Sequence, residues 1–417
     1  VASVPEVLAR LSAAGYPLLD ASLVDRIDGR VSLTTDVSGS IGSPRATGLL
    51  DAVDVRVDDT GPGRVQLSFR ATPEAIDVRS LRLDVGPNGV AGNGSLRLAT
   101  NAVTGTFTGQ LPRLDLLAGS LPAAWRPDGV VRFTAALSGA VDNPSVGADV
   151  AVEGLRVAGQ SIDAIEATVR YAGGVAVIER LELDQGTGHL SAKGRYTPAS
   201  GEYGLDATAT NLSLAPLVVP AEGGDAAPGT AWLPVDTRID FELHGQGTTE
   251  APQLDGVVQL AGLTWGDYRI GAVRTEIDVA AGRARLTTTI PSANASLDAT
   301  LGLDDRTFSV QATAIAADLA RLVRSSGPVA PLPAAGEMDD RPIQIAGAVT
   351  LRASGSGRLD DLAAARADLE VEFANATVNG LPVGMERPAR LSYGEQRLQA
   401  DRVELRFGSA TLSAHGA

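Results

Sequence analysis

Gly129-Val-Val-Arg-Phe-Thr-Ala-Ala-Leu-Ser-Gly139 puts Val131, Phe133, Ala135 and Leu137 on one parity and Arg132, Thr134 and Ser138 on the other. A period of two is the spacing of a β-strand with one apolar face, because successive side chains leave the backbone on opposite sides. The stretch leads to Asn143-Pro144 and Gly147, and the arrangement returns along the chain. Gly29 to Gly39 precedes Pro44 and Gly48, Thr237 to Gly247 precedes Pro252 and Gly256, and Gly347 to Gly357 repeats the pattern without the proline. Aligned on Gly39, Gly139, Gly247 and Gly357, the copies stand 100, 108 and 110 residues apart, a period that drifts by insertion.

The same alternation fills the rest of each period. Val53, Val55 and Val57 oppose Asp54, Arg56 and Asp58, and Leu369, Val371 and Phe373 oppose Glu370 and Glu372. A parity slip also recurs: Ile76, Val78, then Leu81, Leu83, Val85; Ala176, Ile178, then Leu181, Leu183; Ala400, then Val403, Leu405, Phe407. One extra residue flips every later side chain, so keeping the apolar face on one side across the slip requires a bulge or corner. About five strands per period gives roughly 20 in all, and at ~4.8 Å between strands a sheet on the order of 100 Å across.

Three Leu-spaced segments, Leu114 to Leu117, Leu212 to Leu217 and Asp318 to Val323, are candidate short helices, each followed by Gly/Pro/Ala-rich sequence that suits an exposed loop. The predicted organisation is 1–28 as the tail of a preceding repeat, then repeats 29–128, 129–235 and 236–346 and a partial repeat 347–417, all within one continuous sheet. A chain that starts and stops inside repeats reads as an excerpt of something longer.

Composition excludes several function classes. The 417 residues are 44% hydrophobic but 4% aromatic, with no cysteine and a formal charge of -15. Without cysteine there are no disulfides, thiolate zinc sites or cysteine nucleophiles. The acidic balance argues against nucleic acid, which needs a clustered basic surface. No apolar run reaches the roughly 18 to 20 residues that cross a bilayer, and the start Val1-Ala2-Ser3 lacks the basic n-region of a signal peptide, so the chain as given reads as soluble. His189, His244 and His415 are far apart with no ligand pattern, and no nucleophile elbow, phosphate loop or metalloprotease motif occurs. Acidic pairs such as Asp58-Asp59, Asp339-Asp340 and Asp360-Asp361 sit at strand ends, where carboxylates keep edges soluble. The Asn-x-Ser/Thr triplets at Asn93, Asn211, Asn294 and Asn375 carry no weight in Ser/Thr-rich turns. The expectation is a protein that is not an enzyme, with no cofactor and no metal.

What remains is the apolar face itself, too large for the short helices to cover. Either two halves of a sheet pack as a sandwich, or the sheet curls into a trough whose inner face meets an apolar ligand. The aliphatic lining favours the trough, because acyl chains need a smooth, non-specific wall. The candidate lining is Val131, Phe133, Leu137, Val150, Val152, Ile239, Phe241, Leu243, Val349, Leu351, Leu369, Val371 and Phe373.

Leu137-Ser-Gly-Ala-Val-Asp-Asn-Pro-Ser-Val-Gly-Ala-Asp-Val150, followed by Gly-rich hairpins and the tail Ala207-Thr-Ala-Thr-Asn-Leu-Ser-Leu-Ala-Pro-Leu217, resembles the AsmA-like superfamily and within it the TamB (translocation and assembly module) family. The resemblance covers nearly the whole chain as repeated texture. It implies an elongated curled β-sheet, a β-taco or repeating β-groove, in the periplasm, as part of a protein anchored in the inner membrane by a helix outside this chain. It also implies the work of a bridge-like lipid transfer protein conducting phospholipid between inner and outer membranes, with a POTRA-bearing, TamA-like outer-membrane partner engaged through regions not seen here. Alternatives are a chaperone that offers sheet edges to barrel strands by β-augmentation, and a tandem immunoglobulin-like adhesin, whose repeats also run to about 100 residues.

Overall fold

The computed structural model describes residues 2–3, 6, 27–57, 62–114, 125–214, 217–218, 231–233, 235–265, 268–318, 344–394, 396–408 and 410–416. The chain divides into two units, Val1–Glu202 with Pro216–Leu233, and Tyr203–Ala215 with Pro234–Ala417. Both are antiparallel β throughout.

The first unit holds β1 (Ala2–Ser3), β2 (Ile27–Ser40), β3 (Ser43–Val57), β4 (Gly63–Ala71), β5 (Ala75–Val85), β6 (Asn88–Arg97), β7 (Ala102–Leu111), β8 (Asp128–Ala140), β9 (Asn143–Val157), β10 (Gln160–Ala172), β11 (Val175–Gln185) and β12 (Gly188–Thr197). β13 (Glu202–Leu214) begins where the second unit does, and β14 (Leu217–Val218) pairs with β15 (Ala231–Leu233) as a small ribbon. From β2 to β12 every strand pairs with the next in sequence. The second unit continues with β16 (Val235–Thr248), β17 (Pro252–Trp265), β18 (Tyr268–Ala280), β19 (Arg283–Ile290), β20 (Ala295–Gly302), β21 (Thr307–Asp318), β22 (Ile345–Arg358), β23 (Asp361–Val378), β24 (Leu381–Met385), β25 (Ala389–Gly394), β26 (Arg397–Phe407) and β27 (Ala410–Gly416). Its meander forks once, where β24 and β25 both lie between β23 and β26. Each curled sheet is open: among the described pairings neither returns to its first strand. The first three repeats hold six strands each, β2–β7, β8–β13 and β16–β21, against the five expected, and in the fourth, β22–β27, the fork places six strands in five positions.

Register keeps the two faces of each sheet separate over its whole width. In the first unit one cross-strand row reads Val31, Ala52, Val65, Leu83, Val90, Gly109, Phe133, Val150, Ala167, Leu181, Ala192, and the next reads Leu33, Leu50, Leu67, Leu81, Gly92, Phe107, Ala135, Ala148, Val169, Ile178, Gly194. No polar side chain interrupts either row. The second unit repeats this with Leu243, Gly256, Ile277, Leu286, Ala299, Val310, Gly355, Ala367, Tyr393 and Leu398.

The parity slips read from the sequence are bulges: the register shifts between Val78 and Leu81, between Ile178 and Leu181, and between Ala400 and Val403. A second set of bulges lies at one end of the long strands. Ala52/Val55, Val152/Leu155, Ala209/Leu212, Leu260/Leu263, Ala314/Ala317 and Phe373/Ala376 are apolar residues three apart. The residue just before the second of each pair, Asp54, Gly154, Asn211, Gly262, Ala316 or Asn375, has φ between 50° and 71°. A left-handed residue absorbs the extra position and turns the following side chain back to the apolar side. Opposite four of these lie the residues that open the sequence repeats, Gly29, Gly129, Thr237 and Gly347.

This geometry corrects one expectation. Leu212 to Leu217 is not a helix: β13 runs through Leu214, and the Leu212/Leu214 spacing continues the Ala207/Ala209 face after the Asn211 bulge. The candidate helices at 114–117 and 318–323 fall outside the described residues apart from Leu114 and Asp318, and the latter ends β21. Among the described residues the one helical element given in full is the 3-10 turn Pro291–Ala293.

Candidate apolar binding face

All thirteen candidate lining residues lie on the apolar side of their sheets. In the first unit Val131 faces Val152, Phe133 faces Val150 and Leu137 faces Val146 across the β8–β9 ladder. In the second, Ile239 faces Leu260, Phe241 faces Val258 and Leu243 faces Gly256; Val349 faces Phe373, Leu351 faces Val371, and Leu369 lies between Ala353 and Leu391. Twelve are half-buried and Val349 is buried. Val349 belongs to a small cluster with Ala314 and Ala317, flanked by Ala295, Leu351, Val371 and Phe373.

Exposure along this face has a direction. On β2 it climbs from 7% at Val31 through 60% at Leu33 and 73% at Val37 to 104% at Ile41 in the hairpin tip. On β22 it climbs from 3% at Val349 to 52% at Leu359 in the following turn. The bulge end of each long hairpin is therefore the covered end, since the bulges bend the strands there, and the tips stand open. Among the described residues the buried apolar set is Ala and Val alone, and no large side chain is fully buried. A protein whose sheets packed face to face would bury its Leu and Phe residues.

Aromatic side chains on this face sit opposite glycines. Phe69 opposes Gly48, Phe107 opposes Gly92, Phe133 opposes Gly109 and Phe308 opposes Gly357, which is four of the seven phenylalanines. A Cβ on Gly109 would stand 2.0 Å from the Phe133 ring, and one on Gly48 or Gly92 2.5 Å from Phe69 or Phe107. The rings thus lie down across the neighbouring strand, covering backbone that glycine leaves bare. The result is a flatter wall than upright rings would make.

The opposite face is polar and ionically paired. Arg64 reaches Asp51 through two hydrogen bonds of 2.9 and 3.0 Å, and this guanidinium holds the Asp51 carboxyl below its ordinary pKa. Arg358 does the same for Asp360, while Asp305 is lowered first by the Thr307 backbone N–H. Glu370 bridges Arg352 and Arg390, each at 3.1 Å, on the floor of a hollow of about 530 Å³ on this face. These partners satisfy one another. Exposed pairs of this kind contribute little to stability; they keep the outer side in water.

His189 Nδ1 donates to the Asp184 carboxylate at 2.8 Å, and His244 lies between Asp206 and Glu242 at 2.9 and 3.3 Å. His415 lies in β27, but its side chain is outside the described set. Asp360 ends a hairpin turn and pairs with Arg358; Asp58-Asp59 and Asp339-Asp340 lie outside the described residues. Of the four Asn-x-Ser/Thr asparagines, Asn211, Asn294 and Asn375 adopt positive φ, a backbone requirement that accounts for asparagine at those positions. Among the described residues no group of three or more His, Asp or Glu could hold a metal ion, and no helix is long and apolar enough to cross a membrane.

The fold and this face define an all-β protein built on curled, open antiparallel sheets with a part-covered aliphatic side. Beyond that class no relationship is found: no protein-family model matches the chain, and no curated protein or solved structure shows significant similarity to it.

Proposed function

We propose that the chain is a non-enzymatic segment of a bacterial envelope lipid-transfer conduit, in which phospholipid acyl chains lie against the apolar face while headgroups remain at the open, hairpin-tip side. The observation that carries this reading is the pair of eleven-strand rows in the first unit, aliphatic, aromatic or glycine at every position and only part-covered. At ~4.8 Å per strand each row extends roughly 50 Å, far beyond the scattered apolar surface that ordinary soluble domains leave in water. A wall lacking fixed polar groups holds acyl chains by burial alone, at about 0.8 kcal/mol per CH₂, and presents no site at which a sliding chain would stop. Strictly sequential pairing over eleven strands also disfavours tandem immunoglobulin-like sandwiches, which split seven to nine strands between two sheets. Periplasmic location, an inner-membrane anchor and a POTRA-bearing outer-membrane partner belong to the same proposal through the family resemblance.

The test places a photo-crosslinking residue at Phe133 or Phe241 and, on the outer face, at Arg132 or Gln259. Asp240 is unsuitable as the outward control, because its Oδ1 accepts the Asn211 N–H at 2.6 Å. Incubation with phospholipid vesicles is expected to give lipid adducts at the two inward positions alone. Adducts at all four, or at none, overturn the proposal, and adducts to unfolded outer-membrane protein without lipid select the chaperone reading.

A further inference from the structure

β13 and β16 are neighbours without a hairpin to hold them. The chain leaves the sheet after Leu214 and re-enters it at Val235, so no short turn ties this pair together, unlike β16–β17, where the turn 249–251 does. Alongside the backbone hydrogen bonds of the sheet, side chains span the seam: Asp206 of β13 meets His244 of β16, Asp240 of β16 accepts the Asn211 N–H, and the Tyr203 hydroxyl donates to the Gln253 carbonyl on β17.

His244 differs from the other described histidine, His189, in meeting a carboxylate at each ring nitrogen. Nδ1 is 2.9 Å from Asp206 Oδ1 and Nε2 is 3.3 Å from Glu242 Oε1. A neutral imidazole has one N–H and would leave a lone pair facing a carboxylate oxygen, whereas the imidazolium donates at both ends. Carboxylates surround it on its own strand and on both flanking strands. β16 contributes Asp240 and Glu242 on the same face, β13 contributes Asp206, and β17 places Asp255 directly opposite, itself opposite Asp278 of β18, which in turn faces Arg285 of β19. Glu202, further up β13, pairs with Arg195. The nearest cation on the face of β16 is Arg238, six residues back, roughly 20 Å along an extended strand and beyond the screening length of about 8 Å in physiological salt.

We propose that His244 is a pH-sensitive clasp on the β13–β16 seam, closed when the imidazole is charged and loosened when it is neutral. Hydrogen bonds to Asp206 and then Glu242, with the charges of Asp206 and Asp255 adding, raise its pKa above the ordinary 6.5. A histidine whose folded pKa is raised contributes its full effect below the unfolded value and loses it as pH rises through the folded one. The seam is therefore tightest in acid to neutral medium and loosens above it, when Asp206, Asp240, Glu242 and Asp255 face one another around an uncharged ring. This inference is independent of lipid transfer.

The test is hydrogen exchange of the whole chain, read on peptides from 203–214 and 235–248 over pH 6 to 9 and corrected for intrinsic exchange, with the His244 titration followed by NMR. Wild-type protection at the seam is expected to fall roughly two- to fivefold across that titration, the size expected of exposed ion pairs. His244→Gln should be flat at the low level and His244→Arg flat at the high one. Equal pH profiles in wild type and His244→Gln, or the same loss in His189→Gln, would overturn the clasp.

Discussion

Gly109→Ala adds one methyl group to the middle of the apolar row, where it would stand 2.0, 2.4 and 2.8 Å from three atoms of the Phe133 ring. Ordinary contact begins near 3.5 Å, so the ring must move by more than an ångström or the β7–β8 ladder must part. Backbone strain plays no role, since Gly109 is not among the residues with positive φ. Overpacking of this kind costs about 1–3 kcal/mol, set against a few tenths gained from the unfolded chain's lost freedom. Gly147→Ala is the matched control: its new Cβ would meet only the Arg170 Nη1, at 3.9 Å, and it should be neutral or stabilising by about 0.4–1 kcal/mol. The gain from the unfolded chain is common to both, so urea denaturation with unchanged slope should separate the two by about 1–3 kcal/mol. Phe133→Leu in the Gly109→Ala background should recover most of the loss, with a coupling of about 0.5–3 kcal/mol. If Gly109→Ala is no worse than Gly147→Ala, or the two changes are additive, the ring does not lie on the glycine and the flat-wall argument fails.

Two further outcomes follow from the bulge line and the outer face. Gly347→Val should destabilise the second unit by about 1–3 kcal/mol, because φ is 122° there and a Cβ would come within 2.5 Å of the Ala376 Cα; urea unfolding of the variant checks it. Arg64→Ala should raise the Asp51 pKa towards its ordinary value, read by NMR titration. Because the folded pKa is depressed, the pair contributes above the unfolded carboxylate value near 3.9 and its contribution is lost as pH falls through the folded one, so the variant should differ from wild type at neutral pH and converge with it in acid.

Strand parity was legible from the residues alone, because the apolar side must stay on one side of each sheet. That constraint placed all thirteen lining residues on the apolar face and located the bulges at Val78/Leu81 and Ile178/Leu181. The same constraint explains the misread segment: a three-residue step such as Ala209 to Leu212 has the spacing of a helix turn, and only the left-handed Asn211 distinguishes a bulged strand from it. The Phe–Gly pairs were invisible for a different reason. Partners such as Gly109 and Phe133 are 24 residues apart and meet only once register is set across two strands and the insertion between them. The direction of exposure was equally hidden, since alternation identifies a face but not which end of it is covered.

Six strands in each of the first three repeats is an even number, and evenness has a geometric consequence. Antiparallel neighbours reverse direction at every step, so after six reversals the chain points as it did at the start: β8 runs in the sense of β2 in the first unit, and β22 in the sense of β16 in the second. Within a unit, each copy's left-handed corner then falls on the same margin and its hairpin tips on the other. A copy with five or seven strands would invert its successor and break both margins, which is why length changes between copies, 100 to 110 residues, can be absorbed in connections but not in strand count.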